Sequence, residues 1–514
     1  MIHPGKMFLL LACAAGSAHA QLLKTYHLNV PGQSNLPRSN SVTDVLVRRD
    51  TVWFGTDKGL SNTITNGNNW NHFANTGTFD EKSITAVAMN DEILWAATAY
   101  STKQDGESLP TGDKLHYSTD RGQSWNAVPQ PVDAGTVDTI QYGANKIAAL
   151  AVTTTVNNVA YDIALTRNTV WITSFAGMLR KSTNRGQTWQ RVILPPDNRN
   201  SIKPTDTLDF DQAPTGGRLG LRGNLNHRVF SVFASDDSTL WVGTAGGINK
   251  STDGGLSWQK FSHSNQVNAI SGNFVVALSE QRWGARRILW AATVNAEGSD
   301  EIRGVSFSED GGQNWKTTLL GEFAHNFAFK DSIVYVASDG GLFRSADFGF
   351  SWLRTGTIYD ATNFQRFASA AIYGAGAKGD TIWVAGPEGI AFTVDRPALP
   401  FGSSWWIFRT YEPVQANPAK TYSFPLPFSP DDEVVRIHYA LTATSSSVTM
   451  RIFDFTMQPV KTLLQNAPRL PGREYDETWD GKDDFGRRVS NGVYFYRLEA
   501  SASDAQWGKI FVLQ

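Results

Sequence analysis

Ser118-Thr119-Asp120-Arg121-Gly122-Gln123-Ser124-Trp125 is the stretch on which the reading of this 514-residue chain turns. Its spacing, Ser-x-Asp-x-Gly-x-x-Trp, returns at Ser182, Asn184, Gly186 and Trp189, at Ser251, Asp253, Gly255 and Trp258, at Ser308, Asp310, Gly312 and Trp315, and at Ser345, Asp347, Gly349 and Trp352. A degenerate copy occupies Thr63, Thr65, Gly67 and Trp70. Ser and Asp or Asn hydrogen-bond backbone groups in a tight turn, Gly takes a positive φ without steric cost, and the Trp is left to pack sideways.

A second repeat lies just upstream of each turn. Val52-Trp53-Phe54-Gly55-Thr56 recurs around Trp95, Trp171, Trp241, Trp290, Tyr335 and Trp383, so there are seven copies. The aromatics stand 42, 76, 70, 49, 45 and 48 residues apart. About 40 to 50 residues is the length of one four-stranded propeller blade. The expectation is an all-β chain, a seven-bladed β-propeller followed by a small Ig-like β-sandwich, with insertions in the two long gaps. The two motifs together use 12 of the 17 Trp. The seventh blade has no clean turn motif, and the sixth has Tyr335 where the others have Trp.

Composition agrees. Charged residues are 18% of the chain, aromatics 12%, and Gly numbers 45, which suits short strands and tight turns. The formal charge of -2, spread along the chain, gives no basic face and therefore no case for nucleic acid. Met1 to Lys6 is basic, Met7 to Ala15 is apolar and Ala18-His19-Ala20 is small, which reads as a signal peptide over 1-20. No later stretch is long and apolar enough for a transmembrane segment. Cys13, the one cysteine, falls in that signal, so Cys-based metal sites are excluded from the mature chain. We expect no metal and no cofactor.

The turns resemble the Asp-box, or BNR, repeats of sialidases, sortilin-like receptors, xyloglucanases and photosystem assembly factors. The resemblance implies structural roles for Asp120, Asn184, Asp253, Asp310 and Asp347 and for Trp125, Trp189, Trp258, Trp315 and Trp352, since in those families the turn lies away from the ligand face. Leu36 to Val42 with Val52 to Leu60 also resembles the two-component regulator propeller repeat, which again implies a propeller.

The propeller is expected over 21-400, a Pro-, Phe- and Trp-rich linker over 401-417, and a second domain over 418-514. There Val434 to Tyr439 and Val448 to Asp454 alternate at period two, and Asp480-Gly481 and Asn491-Gly492 signal turns with positive φ at the glycine. Trp479 to Leu498 resembles the FlgD-type immunoglobulin-like domain. A domain of this kind at the C-terminus, ending in Lys509-Ile510-Phe511-Val512-Leu513, is similar to the sorting domain of the bacterial type IX secretion pathway. This implies a bacterial protein at the cell surface or outside the cell, the periplasm being the other exported location, with secretion machinery as a partner.

Strand order places loops leaving the second and fourth strands of every blade on the face opposite the Asp-box. Five long ones are expected to crown it: Ala99 to Asp113, Val294 to Arg303, Asn126 to Asn158, Leu194 to Arg228, and Thr355 to Arg366. Long loops clustered on one face of a compact repeat fold suggest a binding rim. Its candidate ligand-binding residues are Tyr100, Asp209, Arg222, His227, Arg228, Arg303, Tyr359 and Arg366. They suit a glycan, peptide or protein partner or a scaffolding role. No residue is assigned a catalytic role. Nucleophile-elbow, zinc-helix, phosphate-loop and dinucleotide motifs are all missing, and Arg38, Arg48 and Arg49 lack the Arg-x-Pro context of a sialidase. Glycoside hydrolysis on the loop-rich face is the alternative.

Overall fold

The computed structural model describes residues 36–514 apart from 74–78, 80–81, 105–106, 136, 157, 217–222, 363–364, 410–420, 432, 442–446, 472, 502–504 and 514. The expected signal peptide over 1-20 lies outside the described residues. The chain divides into two compact units, one holding Ser34–Gly356 and Ala370–Thr410, the other Thr357–Ser369 and Tyr411–Gln514.

The first unit is a ring of seven antiparallel blades, each four strands deep. In blade 1 these are Val42–Arg48, Thr51–Thr56, Gly59–Thr63 and Asn71–His72. The inner strands of the others are Ser83–Met89, Asp162–Thr166, Val229–Ala234, Phe274–Trp283, Ala324–Lys330 and Gly374–Lys378. Blade 7 takes its fourth strand from Trp405–Phe408, inside the stretch expected to be linker. That strand reads as one because Trp405 and Ile407 bury themselves in alternation with Trp406 and Phe408.

The second-strand aromatics Trp53, Trp95, Trp171, Trp241, Trp290, Tyr335 and Trp383 are buried in every blade. Each motif turn is held by its own side chains: in blade 2, Ser118 Oγ donates to Asp120 Oδ1 (2.7 Å), Gly122 N donates to Ser118 Oγ (2.7 Å) and Ser124 N donates to Asp120 Oδ1 (2.8 Å). Trp125 Nε1 then donates to Gly122 O (3.1 Å), folding the indole back over the turn. The serine, glycine and backbone bonds to the Asp position recur on Asn184, Asp253, Asp310 and Asp347, whereas the indole bond does not, Trp352 donating to Thr318 Oγ1 instead. The hydrogen bond from the Ser124 side chain holds the Asp120 carboxyl down at about 2, and Ser351 does the same for Asp347. These are turn-building carboxylates.

The two repeats meet directly across three of the joints. A Cβ on Gly122 of blade 2 would stand 2.9 Å from Trp53 of blade 1; one on Gly255 of blade 4, 2.7 Å from Trp171 of blade 3; one on Gly349 of blade 6, 2.8 Å from Trp290 of blade 5. At these joints the turn of one blade closes over the second-strand aromatic of the blade before it and only hydrogen fits between them; Gly186, Gly312 and Gly67 instead meet Val128, Phe261 and Phe408 on the fourth strand of the preceding blade. Blade 6 has Tyr335 at that place and blade 7 has no such turn, and the two exceptions form one joint. The Tyr335 hydroxyl donates to the buried Asp395 carboxylate of blade 7, which also pairs with Arg344 Nε at 2.5 Å. A polar clasp stands there in place of the indole and glycine.

The two long insertions begin and end on the loop face but do not stay there. Val137–Tyr142 and Asn145–Leu150 form a hairpin, joined in parallel by Asp211–Gln212. Ser201–Ile202 adds a fifth strand to the outer edge of blade 4. The hairpin tip reaches the opposite end of the ring, where Tyr142 Oη donates to Leu256 O in the blade 4 turn (2.6 Å). Ile147, Leu208 and Phe210 bury themselves against Trp171, Val192 and Trp258, and this apolar contact draws both segments down the outer wall.

The second unit is a two-sheet sandwich. Thr421–Phe424, Val435–Ala440 and Glu474–Trp479 make one sheet; Pro459–Pro468, Ser447–Phe453, Gly492–Ala500 and Gln506–Val512 make the other. Val435, Ile437, Met450, Trp479, Tyr496 and Ile510 fill the space between them. Gly481 adopts the expected positive φ of 70°, whereas Gly492 begins a strand without one. No helix of the described residues is long and apolar enough to cross a membrane.

The interblade seat predicts a graded effect. Gly255→Ala adds a methyl group against the Trp171 ring at a φ of +81°, while Gly254→Ala has a φ of +70° and open space. Urea unfolding followed by Trp fluorescence should show a loss of about 1 kcal/mol for Gly254→Ala from the backbone alone, and about 2–4 kcal/mol for Gly255→Ala. Equal losses would remove the seat from the account. At the seventh joint, Asp395→Ala strands the buried Tyr335 hydroxyl and the half-buried Arg344 guanidinium and should cost about 2–4 kcal/mol, whereas Asp91→Ala at the exposed Arg48 and Arg49 pair should leave the urea midpoint nearly unchanged.

Candidate functional site

The seven inner strands enclose an axial channel of about 600 Å3, within the range of about 300–1,000 Å3 of ligand pockets. Near the loop face most of these strands carry a bulge, with one extra residue at Thr43, Thr85, Phe230, Val276 and His325. Tyr161 and Tyr373 hold the same place in blades 3 and 7, one residue before the paired strand. A bulge turns its extra side chain out of the ladder. All seven line the channel and form a collar at its mouth.

One side of the collar is aromatic. Phe230 packs on Phe274 (4.4 Å between centroids), Tyr161 (5.4 Å) and Phe175 (6.3 Å). Further round, His325 lies between Phe323 (4.9 Å) and Tyr373 (5.1 Å), and its Nε2 meets Asp339 Oδ1 at 2.7 Å. Burial pushes the Tyr161 hydroxyl up to about 12.

Directly after the collar residue, blades 1 and 3 place a carboxylate inside the channel. Asp44 Oδ2 accepts from Val87 N of blade 2 (3.1 Å), and Asn326 Nδ2 of blade 6 reaches its Oδ1 at 3.5 Å. Asp162 accepts from Val232 N of blade 4 (2.9 Å) and from Ile163 N (2.8 Å). Both open onto the lumen, yet protein surrounds them on every side, and removal from bulk water raises Asp44 to about 6 and Asp162 to about 7. Backbone donors lower each carboxyl but do not outweigh burial, and the Asp44 charge adds to the rise at Asp162.

The residues expected at the rim are dispersed. Arg228 precedes the inner strand of blade 4; its guanidinium lies over the Phe175 ring (5.6 Å) and donates from Nε to Pro214 O (2.8 Å), beside the aromatic side of the collar. Tyr100, 40% exposed, sits on the long hairpin of blade 2 under Lys82 Nζ (4.9 Å). Arg303 is exposed on the loop of blade 5 and donates to Gly321 O (2.6 Å).

His227 departs from the expectation. It is fully buried between Ala213 and Leu194 carbonyls, and burial lowers it to about 4, so it is a neutral packing residue and no rim ligand. Asp209 is exposed on the outer wall, next to the buried Leu208 and Phe210, because the insertion carries it there. Tyr359 and Arg366 pair in a small hairpin that groups with the second unit, and so do not belong to the ring. Arg222 lies outside the described residues.

Asp44, Asp162 and the collar were missed, although the sequence holds a signal for them. Thr43, Thr85, Tyr161, His325 and Tyr373 each stand ten residues before the second-strand aromatic, and Asp44 and Asp162 nine before it. Nothing in residue type links them, since Thr, Tyr, Phe, Val and His share only a register.

No family model matches the chain, and no curated protein matches it. Among solved structures it is similar to YCF48 bound to D1 peptide, at 16% identity over 71% of this chain and 96% of that one, with a TM-score of 0.42. It is similar to a GH74 enzyme of Niastella koreensis, at 14% identity over 93% and 74% of the two chains, with a TM-score of 0.49. It is also similar to PorZ, a surface component of the type IX secretion system of Porphyromonas gingivalis, at 13% identity over 92% and 81%, with a TM-score of 0.27. At these identities the likeness is one of β-propeller fold alone.

The channel carboxylates make stability depend on pH in a defined direction. The folded state holds their protons more tightly than the unfolded chain, whose carboxyls titrate near 3.8, so their contribution favours folding at low pH and declines as pH rises from about 4 to about 7. Asp44→Asn/Asp162→Asn removes that decline. The double variant should gain about 1–4 kcal/mol on the wild type between pH 4 and pH 8 in urea unfolding. Parallel pH profiles for the two proteins would show that these carboxylates are not held protonated by the fold.

Proposed function

We propose that this chain is an exported, non-enzymatic binding propeller that receives its ligand at the channel mouth on the loop-bearing face. The observation that carries this reading is the collar. The one-residue register that lines the mouth is occupied on one side by the interlocked rings of Tyr161 and Phe230, backed by Phe175 and Phe274 with Arg228 over them. Aromatic faces and a guanidinium at a concave mouth suit a glycan, a peptide or a protein segment. The ring makes a rigid frame for such a site, because the sheets are packed edge to core around a closed circle. The sandwich unit serves in this reading as a sorting or attachment module at the cell surface, supported by the resemblance of Trp479 to Leu498 and of the C-terminal strand.

The alternative is glycoside hydrolysis, favoured by the raised Asp44 and Asp162. Two features weigh against it. Each carboxylate is tied to a backbone amide of the next blade, and a glycan would have to enter the ring of inner strands to bring a scissile bond between them.

The mouth is tested by probing glycan and peptide arrays with the wild type, Phe230→Ala and Tyr373→Ala, each variant checked for folding by its urea midpoint. Retention on specific spots should fall at least about tenfold in the variants, a loss of roughly 1.4 kcal/mol or more. Undiminished retention would move the site elsewhere. Turnover of aryl-glycosides that disappears in Asp162→Asn would replace the binding reading with the hydrolytic one.

A further inference from the structure

Resting on that reading, we infer that the channel below the collar takes an organic cation: an ammonium or guanidinium group, carried by a lysine or arginine side chain of a peptide or by a free amine. Three observations support it. Asp44 and Asp162 project into one lumen, and among the described residues that line it there is neither lysine nor arginine. The two negative charges therefore lack a counter-charge within the channel. A group of opposite charge entering it would gain an attraction that is screened less there than in bulk water.

Second, the ring does not require these carboxylates. The position following the collar residue is Asp44 in blade 1, Ala86 in blade 2, Asp162 in blade 3, Ser231 in blade 4, Ala277 in blade 5, Asn326 in blade 6 and Gly374 in blade 7. Three blades close with no polar side chain there. The bonds to Val87 and Val232 therefore accompany the fold without being a condition of it, and a charge that costs stability is accounted for by a ligand.

Third, the approach is aromatic. Tyr161 and Phe230 stand on one side of the entrance and Tyr373 on another. Ring faces attract ammonium and guanidinium groups and contribute little to a small hydrated metal ion, so the collar selects an organic cation on an apolar stem. Asn326 lines the channel beside Asp44 and adds a side-chain amide to the polar lining.

Blocked pentapeptides with lysine, arginine or norleucine at the centre of four glycines, and 1,5-diaminopentane, would be titrated calorimetrically into the full chain at pH 5 and pH 8. The lysine or arginine peptide, or the diamine, should bind at pH 8, with norleucine at least tenfold weaker. Affinity should fall at least about tenfold at pH 5, where Asp44 and Asp162 take up protons. The other titratable groups facing the lumen are Tyr161, His325 and Tyr373, so the profile is repeated in His325→Gln to separate the imidazole. Asp44→Asn/Asp162→Asn should lose at least tenfold in affinity at pH 8 and lose the pH dependence while keeping a wild-type or higher urea midpoint. Binding of the diamine without the peptides assigns a free amine; the reverse assigns a peptide side chain. Norleucine binding as tightly as lysine, or an unaffected double variant, overturns the cation assignment. Should no probe bind while Phe230→Ala still abolishes array retention, the cation assignment fails and the mouth as a binding site stands; loss of neither effect leaves both readings refuted.

Discussion

The contact on which the ring depends is the seat of a turn glycine on the aromatic of the preceding blade. A four-stranded blade has two apolar faces and cannot bury either alone, so each face must find a neighbour. The indole of Trp53, Trp171 or Trp290 is buried on one side of a joint, and the turn carrying Gly122, Gly255 or Gly349 lies against its far edge. The turn can approach so closely because its own Ser and Asp side chains satisfy its backbone amides, leaving no polar group to be stranded against the ring. Serine, aspartate, glycine and tryptophan thus act as one device divided between two blades.

That division explains what the sequence made legible. Both halves of the joint have narrow chemical requirements, so they recur as recognisable words, and the seven blades and their strand order follow. The two irregular copies are equally readable once placed side by side: Tyr335 requires a partner for its hydroxyl, and Asp395 with Arg344 provides it where a glycine turn would otherwise sit. One irregularity compensates the other. The reading went astray where strand order was asked to do more than it can. It fixes where a loop leaves and re-enters a blade, but the path between is set by apolar side chains such as Ile147, Leu208 and Phe210, which sought the groove between blades 3 and 4. Asp209 and His227 followed that path to the outer wall and to a buried pocket.

The channel mouth was hidden for a different reason. Its residues are united by backbone register and not by type, because a bulge presents whatever side chain occupies it. Structural positions converge on one residue, whereas the collar varies from Thr43 to Phe230 to His325.

The same contrast bears on the two carboxylates. If Asp44 and Asp162 existed to fasten neighbouring blades, a comparable group would be expected at most joints. Ala86, Ala277 and Gly374 show that the inner strands approach one another without it; indeed a Cβ on Gly374 would come within 2.7 Å of Val45, so that joint has room for no side chain at all. Carboxyls raised to about 6 and about 7 are a burden on the folded state at neutral pH; burial raises Asp57 to about 6 as well, but Asp44 and Asp162 are the two that face one lumen. Inside the channel these two charges meet no lysine or arginine among the described lining residues, and that is where a ligand's charge would complete them.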